Sequence, residues 1–97
     1  MFAGLVCYDI HILTPVFNLK EKRRIIKSRI DKIKNRFNVS ISEVGNMDLL
    51  QRSMIGISCV SNEKNIVQKV INSISEYLGS DIEIEIIEQY FEYVKLP

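Results

Sequence analysis

Asp9 and His11 are the residues most suited to chemistry, because His11 is the only histidine of the 97-residue chain. Alternating side chains over residues 2–13 predict a β-strand, and residues two apart on a strand share a face. An Asp-x-His pair can bind a metal ion or move a proton. Two ligands do not close a metal site, and no histidine or cysteine cluster supplies the rest. We therefore expect a structural or interface role, with no cofactor and no enzymatic activity.

No other catalytic or nucleotide-binding motif is present. A Ser-His-Asp triad would have to use His11, and nothing marks its serine. The chain contains neither G-x-x-x-x-G-K-[ST] nor G-x-G-x-x-G. Cys7 and Cys59 form no CxxC pair, so we interpret both as small buried hydrophobic residues of a reduced cytosolic protein. A disulfide between them would be unusual in that compartment.

The charge of the chain is concentrated in one segment. Nine of the thirteen Lys and Arg residues lie between Lys20 and Arg36, against only Glu21 and Asp31, so the segment carries +7 (9 − 2) and the whole chain +1. Such a run is either a solvated surface or a site for an anionic partner, nucleic acid first. RNA would be bound by phosphate contacts. The predicted contacts are Lys20, Arg23, Arg24, Lys27 and Lys34, with Arg36 and Arg52 extending the patch.

This basic segment is predicted to form a helix from Asn18 to Phe37. Asn18 is a good N-cap, and Glu21 three residues later completes a capping box. The apolar residues at helical spacing form one narrow stripe, namely Leu19, Ile26, Ile30, Ile33 and Phe37. Lys22 and Arg23 lie closer to this stripe, where their methylene stems can cover the edge of the core.

The remaining patterns predict an α+β fold in a single domain, residues 1–97. Strands are expected at residues 2–13, 37–44, 52–60 and 81–94, and a second helix from caps at Ser61 and Asn62 to a stop at Gly79. The order βαββαβ favours a ferredoxin-like sandwich, a four-stranded antiparallel sheet with two helices on one face. A slip in alternation at Ile86–Ile87 indicates a β-bulge. Gly56 in mid-strand indicates a close backbone approach or a bulge.

The other face of this sheet would be uncovered. It is expected to carry Leu5, Cys7, Asp9 and His11 from the first strand, and Glu83, Glu85 and Ile87 from the last. This mixture of apolar and charged residues favours partial cover by another copy, and residues 76–97 hold six acids and one lysine that a basic helix of that copy could meet. The sheet lacks the base-stacking aromatics of an RRM, since residues 52–60 contain none and Tyr8 is expected in the core.

The segment Gly45–Arg52 is a second candidate site. Met47, Leu49 and Leu50 are too apolar for a free loop tip, so they either cap the core or form a docking point with Asp48 for a protein or rRNA groove. Asp48 and Arg52 could pair with each other and order the loop. No apolar run approaches the roughly 20 residues of a membrane span, and no basic region precedes the apolar N-terminus. We expect a cytoplasmic protein.

Several blocks resemble those of the small bacterial YlxP-like family, a domain of unknown function. Residues 18–24 resemble its "SLKEKRR" segment, and residues 36–40, 43–45 and 48–52 resemble its "RFNVS", "EVG" and "DL-QR" blocks. The resemblance covers nearly the whole chain and implies a ferredoxin-like fold without a known activity or cofactor. The family's genes often lie near those for translation initiation and ribosome maturation, which implies an association with ribosomes or RNA. Our first hypothesis is thus a non-enzymatic RNA- or ribosome-associated accessory factor. The alternative is a homo-oligomeric protein-interaction or small-ligand-binding module that uses the open sheet face. A homodimer is the expected assembly.

Overall fold

The computed structural model describes residues 1–97 as one open antiparallel sheet and two helices. The elements are β1 (Phe2–Ile12), α1 (Leu19–Arg36), β2 (Ser40–Gly45), β3 (Arg52–Ser61), α2 (Lys64–Gly79) and β4 (Ile84–Lys95). The sheet order is β2-β3-β1-β4. The predicted ferredoxin-like α+β fold is confirmed.

Strand β1 lies at the centre of the molecule. It pairs with β3 from Phe2 to His11 and with β4 from Phe2 to Ile12. Its even-numbered residues from Val6 to Ile12 are buried beneath the helices, whereas its odd-numbered residues face the open side. Tyr8 is completely buried, as predicted, and its hydroxyl lies 2.7 Å from Ser75 Oγ. Each fully buried aliphatic side chain contributes about 1.5–3 kcal/mol, so this interior dominates the stability.

Helix α2 packs directly on the backbone of β1 at Gly4. A Cβ atom on Gly4 would lie 2.5 Å from both Val67 Cγ1 and Ile71 Cδ1. Only glycine permits this approach. Gly56 faces the opposite side of the sheet, where a Cβ atom would lie 3.0 Å from Val44 Cγ1. The expected close approach at Gly56 is therefore made by the Val44 side chain.

Helix α1 begins at the predicted cap but with a modified capping box. Asn18 Oδ1 accepts a hydrogen bond from the Glu21 amide at 2.9 Å. The Glu21 carboxylate, in return, accepts from the Phe17 amide rather than from Asn18. The helix ends where Phe37 turns to extended backbone.

The buried face of α1 is rotated from the predicted stripe. The buried residues are Lys22, Ile26, Arg29 and Ile33, whereas Leu19, Ile30 and Phe37 are half-buried. Two cations thus lie on the inner face, which a count of apolar residues alone does not predict.

Strand β2 and helix α2 depart from the predicted boundaries at their first residues. Strand β2 begins at Ser40 instead of residue 37. The N-cap of α2 is Glu63, not Ser61 or Asn62; Ser61 Oγ instead accepts from the Glu63 amide. The helix does end at Gly79, but without a left-handed glycine, and Ser80 closes it.

Strand β4 begins at Ile84, three residues later than predicted. Ile82 lies outside the sheet and is 90% exposed. Asp81 and Glu83 bond to Arg29 of α1, so the prediction that Glu83 lies on the open sheet face is wrong. The predicted bulge is confirmed, because Asp9 pairs with Glu88 and Ile10 with Ile86.

Candidate functional site

The exposed cations of α1 form a surface that we call the basic surface. Its seven members are exposed and take part in no ion pair; they are Lys20, Arg23, Arg24, Lys27, Lys32, Lys34 and Arg36. The Glu21 carboxylate accepts a hydrogen bond from the Phe17 amide at the start of the helix, and Asp31 is the only other carboxylate of α1. An 18-residue helix is about 27 Å long, so the cations are spread over several phosphate spacings of a nucleic acid.

The structure brings six of the seven predicted RNA-contact residues to this surface and adds Lys32. Arg36 lies at its C-terminal end, where the guanidinium carbon is 5.2 Å from the centre of the Tyr77 ring and 5.8 Å from that of Phe37. Contact with two rings restrains the Arg36 side chain and leaves it exposed.

Lys22 is the first of two cations of the segment that are unavailable to a ligand. Its side chain is completely buried, and its Nζ lies 3.1 Å from Glu43 Oε2. Nζ also donates to the carbonyls of Asn46 at 2.6 Å and Met47 at 3.2 Å. These three acceptors match the three ammonium donors of Lys22. Ser53 Oγ also donates to Glu43 Oε2, at 2.6 Å.

Arg29 is the second cation of α1 that is unavailable to a ligand. Its Nε and Nη2 donate to Asp81 at 2.8 and 3.2 Å, and Nη2 donates to Glu83 at 3.1 Å. The hydrogen bonds from Arg29 lower the pKa of Asp81. The pKa of Glu83 is lowered first by the Thr14 hydroxyl and then by Arg29. This cluster fastens α1 to the segment between α2 and β4.

The predicted interaction loop lies beside the first turn of α1, because Lys22 holds two of its carbonyls. Asn46 adopts a left-handed backbone with φ of 57°. Met47 and Leu49 are 51% and 50% exposed, Asp48 is exposed and Leu50 is half-buried. The side chains therefore do not close over the core, and the loop presents apolar groups next to the basic surface.

Gln51 also holds this loop in place, although no sequence pattern predicted that role. Its side-chain amide donates to the carbonyls of Ile12 at 2.6 Å and Thr14 at 3.0 Å. Its oxygen accepts from the Val16 amide at 2.8 Å. The connection before α1 and the loop before β3 are thereby joined. Phe17, in that connection, is 81% exposed beside the start of the basic helix.

Arg52 lies on the open face of the sheet and not with the basic surface. Its Nη2 donates to both carboxylate oxygens of Asp9, at 3.0 and 2.9 Å. The suggested pair between Asp48 and Arg52 is therefore absent. This pairing also engages the Asp9 carboxylate, while His11 lies next to it on the same face.

The open face has an apolar half and a charged half. Two cross-strand rows line a groove of about 480 Å³. They run Ser40–Ser58–Leu5–Glu92 and Ser42–Gly56–Cys7–Tyr90. Towards the other end of the sheet, Asp9 lies opposite Glu88, and His11 lies between Arg52 and Glu85.

Both cysteines are free. Cys59 is buried as expected, but Cys7 is half-buried on the open face, contrary to the prediction that both are core residues. Burial raises the pKa of both thiols, for Cys7 with help from Asp9. They are therefore protonated and weakly nucleophilic at neutral pH. No group of three or more potential metal ligands occurs. Neither helix is long and apolar enough to cross a membrane.

Comparison with known proteins agrees with the resemblance found in residues 18–52. Residues 4–90 match the family described as "Protein of unknown function (DUF503)". The chain is also similar to the "Uncharacterized protein YlxP" of Bacillus subtilis (strain 168), with 40% identity over 84 residues, or 87% of each chain. The chain therefore belongs to the DUF503 family of proteins of unknown function.

Proposed function

We propose that this protein is a non-enzymatic, cytoplasmic RNA-binding accessory factor that acts on ribosomal RNA or its precursors through the basic surface. The observation that carries the proposal is the set of seven exposed, unpaired cations on one helix. Lys22 and Arg29 form ion pairs within the fold, but the seven other cations of α1 do not. Structural ion pairing therefore does not explain why these seven are present. A surface needed only for solubility would carry interspersed acids.

The mode of binding is expected to be electrostatic. Lysine and arginine contact phosphates and release condensed counterions, so affinity falls steeply with salt. The helix offers no base-reading motif, and contacts of this type position RNA without specifying sequence. The Met47–Leu50 loop, which Lys22 ties to the first turn of α1, would add a shape-dependent contact.

The test is co-sedimentation with purified ribosomal subunits over a salt series. The variant Arg23→Glu/Arg24→Glu/Lys27→Glu should abolish binding at salt concentrations where the wild type binds. The matched control is Lys64→Glu/Lys69→Glu/Lys95→Glu, which makes the same change in net charge at exposed lysines outside α1. This control should retain binding.

Two results would contradict the proposal. One is a wild-type protein that stays in the supernatant at low salt. The other is equal loss of binding in the α1 variant and the matched control, since net charge rather than the basic surface would then govern sedimentation. Thermal unfolding by circular dichroism establishes that both variants are folded.

A further inference from the structure

The open sheet face presents a groove that is partly lined by small side chains. Gly56 has no side chain, and the neighbouring Cys7 and Ser58 are short, whereas the larger side chains of Val44, Leu5 and Tyr90 line the rest of the groove, Val44 against Gly56. Leu5 is 47% and Tyr90 55% exposed. An apolar depression of this kind accepts aliphatic side chains from a partner.

Three carboxylates border this groove and the charged half of the face. Glu85, Glu88 and Glu92 of β4 are exposed and take part in no ion pair or side-chain hydrogen bond. Arg52 is the cationic side chain of this half of the face, and it already donates to both carboxylate oxygens of Asp9. The face is therefore apolar and anionic, opposite in sign to the basic surface.

This combination disfavours an anionic occupant. Nucleic acid and anionic lipid would meet three unpaired carboxylates. Of the two aromatic residues that line the groove, Tyr90 shares the face of Cys7, whereas Phe91 pairs with Val6, which faces the helices. Single-stranded RNA bound on a sheet requires several stacking rings and a positive field.

A second copy of the chain also fits poorly. Face-to-face packing would bury both sets of carboxylates without a free cation to meet them. Packing of α1 from one copy on the sheet of the next would satisfy the charges. The apolar residues of α1, such as Ile26 and Ile33, are however buried in their own core and cannot fill the groove. Such head-to-tail contacts also produce an open filament unless the rotation between copies closes a ring.

We propose that the open sheet face binds a cationic amphipathic segment of another protein. Aliphatic side chains of that segment would occupy the groove between Leu5 and Tyr90, while lysines or arginines would pair with Glu85, Glu88 and Glu92. Glu85 and Glu92 lie about 20 Å apart along β4, so a helix of about 14 residues that runs along this strand would reach all three carboxylates. Because this face and the basic surface lie on opposite sides of the sheet, the site does not depend on RNA binding.

The experiment uses a synthetic Leu/Lys peptide of about 18 residues whose leucines follow helical spacing. A peptide of the same composition in scrambled order is the control for charge alone. Titration into the ¹⁵N-labelled protein at physiological salt should give saturable shifts at Leu5, Cys7 and Tyr90. The scrambled peptide should bind at least about tenfold more weakly.

Matched protein variants test the carboxylates. Glu85→Gln/Glu88→Gln/Glu92→Gln should weaken binding of the patterned peptide about tenfold. Asp31→Asn/Glu63→Gln/Glu76→Gln removes the same charge from exposed sites on the helical side and should bind as the wild type does. Arg23→Glu/Arg24→Glu/Lys27→Glu should also bind the peptide normally, which separates this site from the RNA proposal.

The proposal is overturned if shifts fall outside the open face, if both peptides bind equally, or if both carboxylate variants weaken binding equally. It is overturned as well by sedimentation equilibrium that finds the free protein dimeric and Leu5→Asp monomeric. In that case a second copy, and not a cationic segment, covers the face.

Discussion

Lys22 shows how one buried side chain can organise a neighbouring loop. Its completely buried ammonium group binds Glu43 and two backbone carbonyls of the loop that precedes β3. A buried charge of this kind is tolerated only when all its donors are satisfied. Lys22 therefore supports the position of Met47 and Leu49 beside the basic surface without contacting a ligand itself.

Replacement of Lys22 by methionine should destabilise the fold by about 3 kcal/mol, because the half-buried carboxylate of Glu43 and two loop carbonyls lose their cationic partner. The double variant Lys22→Met/Glu43→Gln should lose less than the sum of the single changes. Urea unfolding at pH 7 measures both quantities. Strictly additive losses would show that the two side chains are not energetically coupled.

At the scale of elements, the Arg29 cluster joins α1 to the segment that enters β4. Arg29 reaches across to Asp81 and Glu83, and Thr14 donates to the same glutamate at 2.9 Å. These bonds explain why β4 begins late: the two acids are held by the helix and the connection after β1, and strand pairing starts only at Ile84.

The cluster should make stability depend on pH in the acid range. The pKa of Asp81 and that of Glu83 are both lowered in the folded protein, chiefly by hydrogen bonds to their charged forms. The stabilisation is thus complete above the unfolded-state pKa of about 4 and is lost as pH falls through the folded values. In Arg29→Met the loss between pH 7 and pH 3 should be smaller, although the variant is less stable at pH 7.

Urea midpoints over this pH range measure the effect. Lys27→Met serves as the control, because it removes an exposed cation from the same helix. Its pH dependence should match that of the wild type. Parallel curves for wild type and Arg29→Met would show that Arg29 does not set the acid sensitivity.

At the scale of the whole molecule, charge is separated across the sheet. The molecule measures 47 × 21 × 21 Å, with the basic surface on the helical side and the carboxylates of β4 on the open side. Because the two charges lie on opposite faces, the two proposed partners would not compete for one site. This separation of charge also weakens association of identical faces, since each repels its own copy.

The topology predicts an uneven distribution of protection from hydrogen exchange. Strand β1 is paired along both edges, whereas β2 pairs only with β3, over five register positions from Ser40 to Gly45. Opening of β2 should therefore occur without global unfolding. Exchange measured by NMR should be slowest at Val6, Tyr8 and Ile10 and clearly faster in β2. Equal protection of the two strands would contradict this prediction.

The sequence by itself determined the parts of the fold that depend on local chemistry. The cap at Asn18, the end of α1 at Phe37 and the bulge near Ile86–Ile87 follow from short patterns of side chains. The βαββαβ order and the alternation in β1 identify the two faces of the sheet, because strand periodicity is strict.

Only the tertiary structure decided which charges remain free. Lys22 and its carbonyl partner at Asn46 are 24 residues apart, and Arg29 and Asp81 are 52 apart. Arg52 likewise pairs with Asp9 across 43 residues, which places it away from the basic surface. Helical spacing sets the face on which a cation lies, but its partner depends on the packing of distant segments. The sequence therefore defined a cationic helix, and the fold selected the seven side chains of it that are open to a ligand.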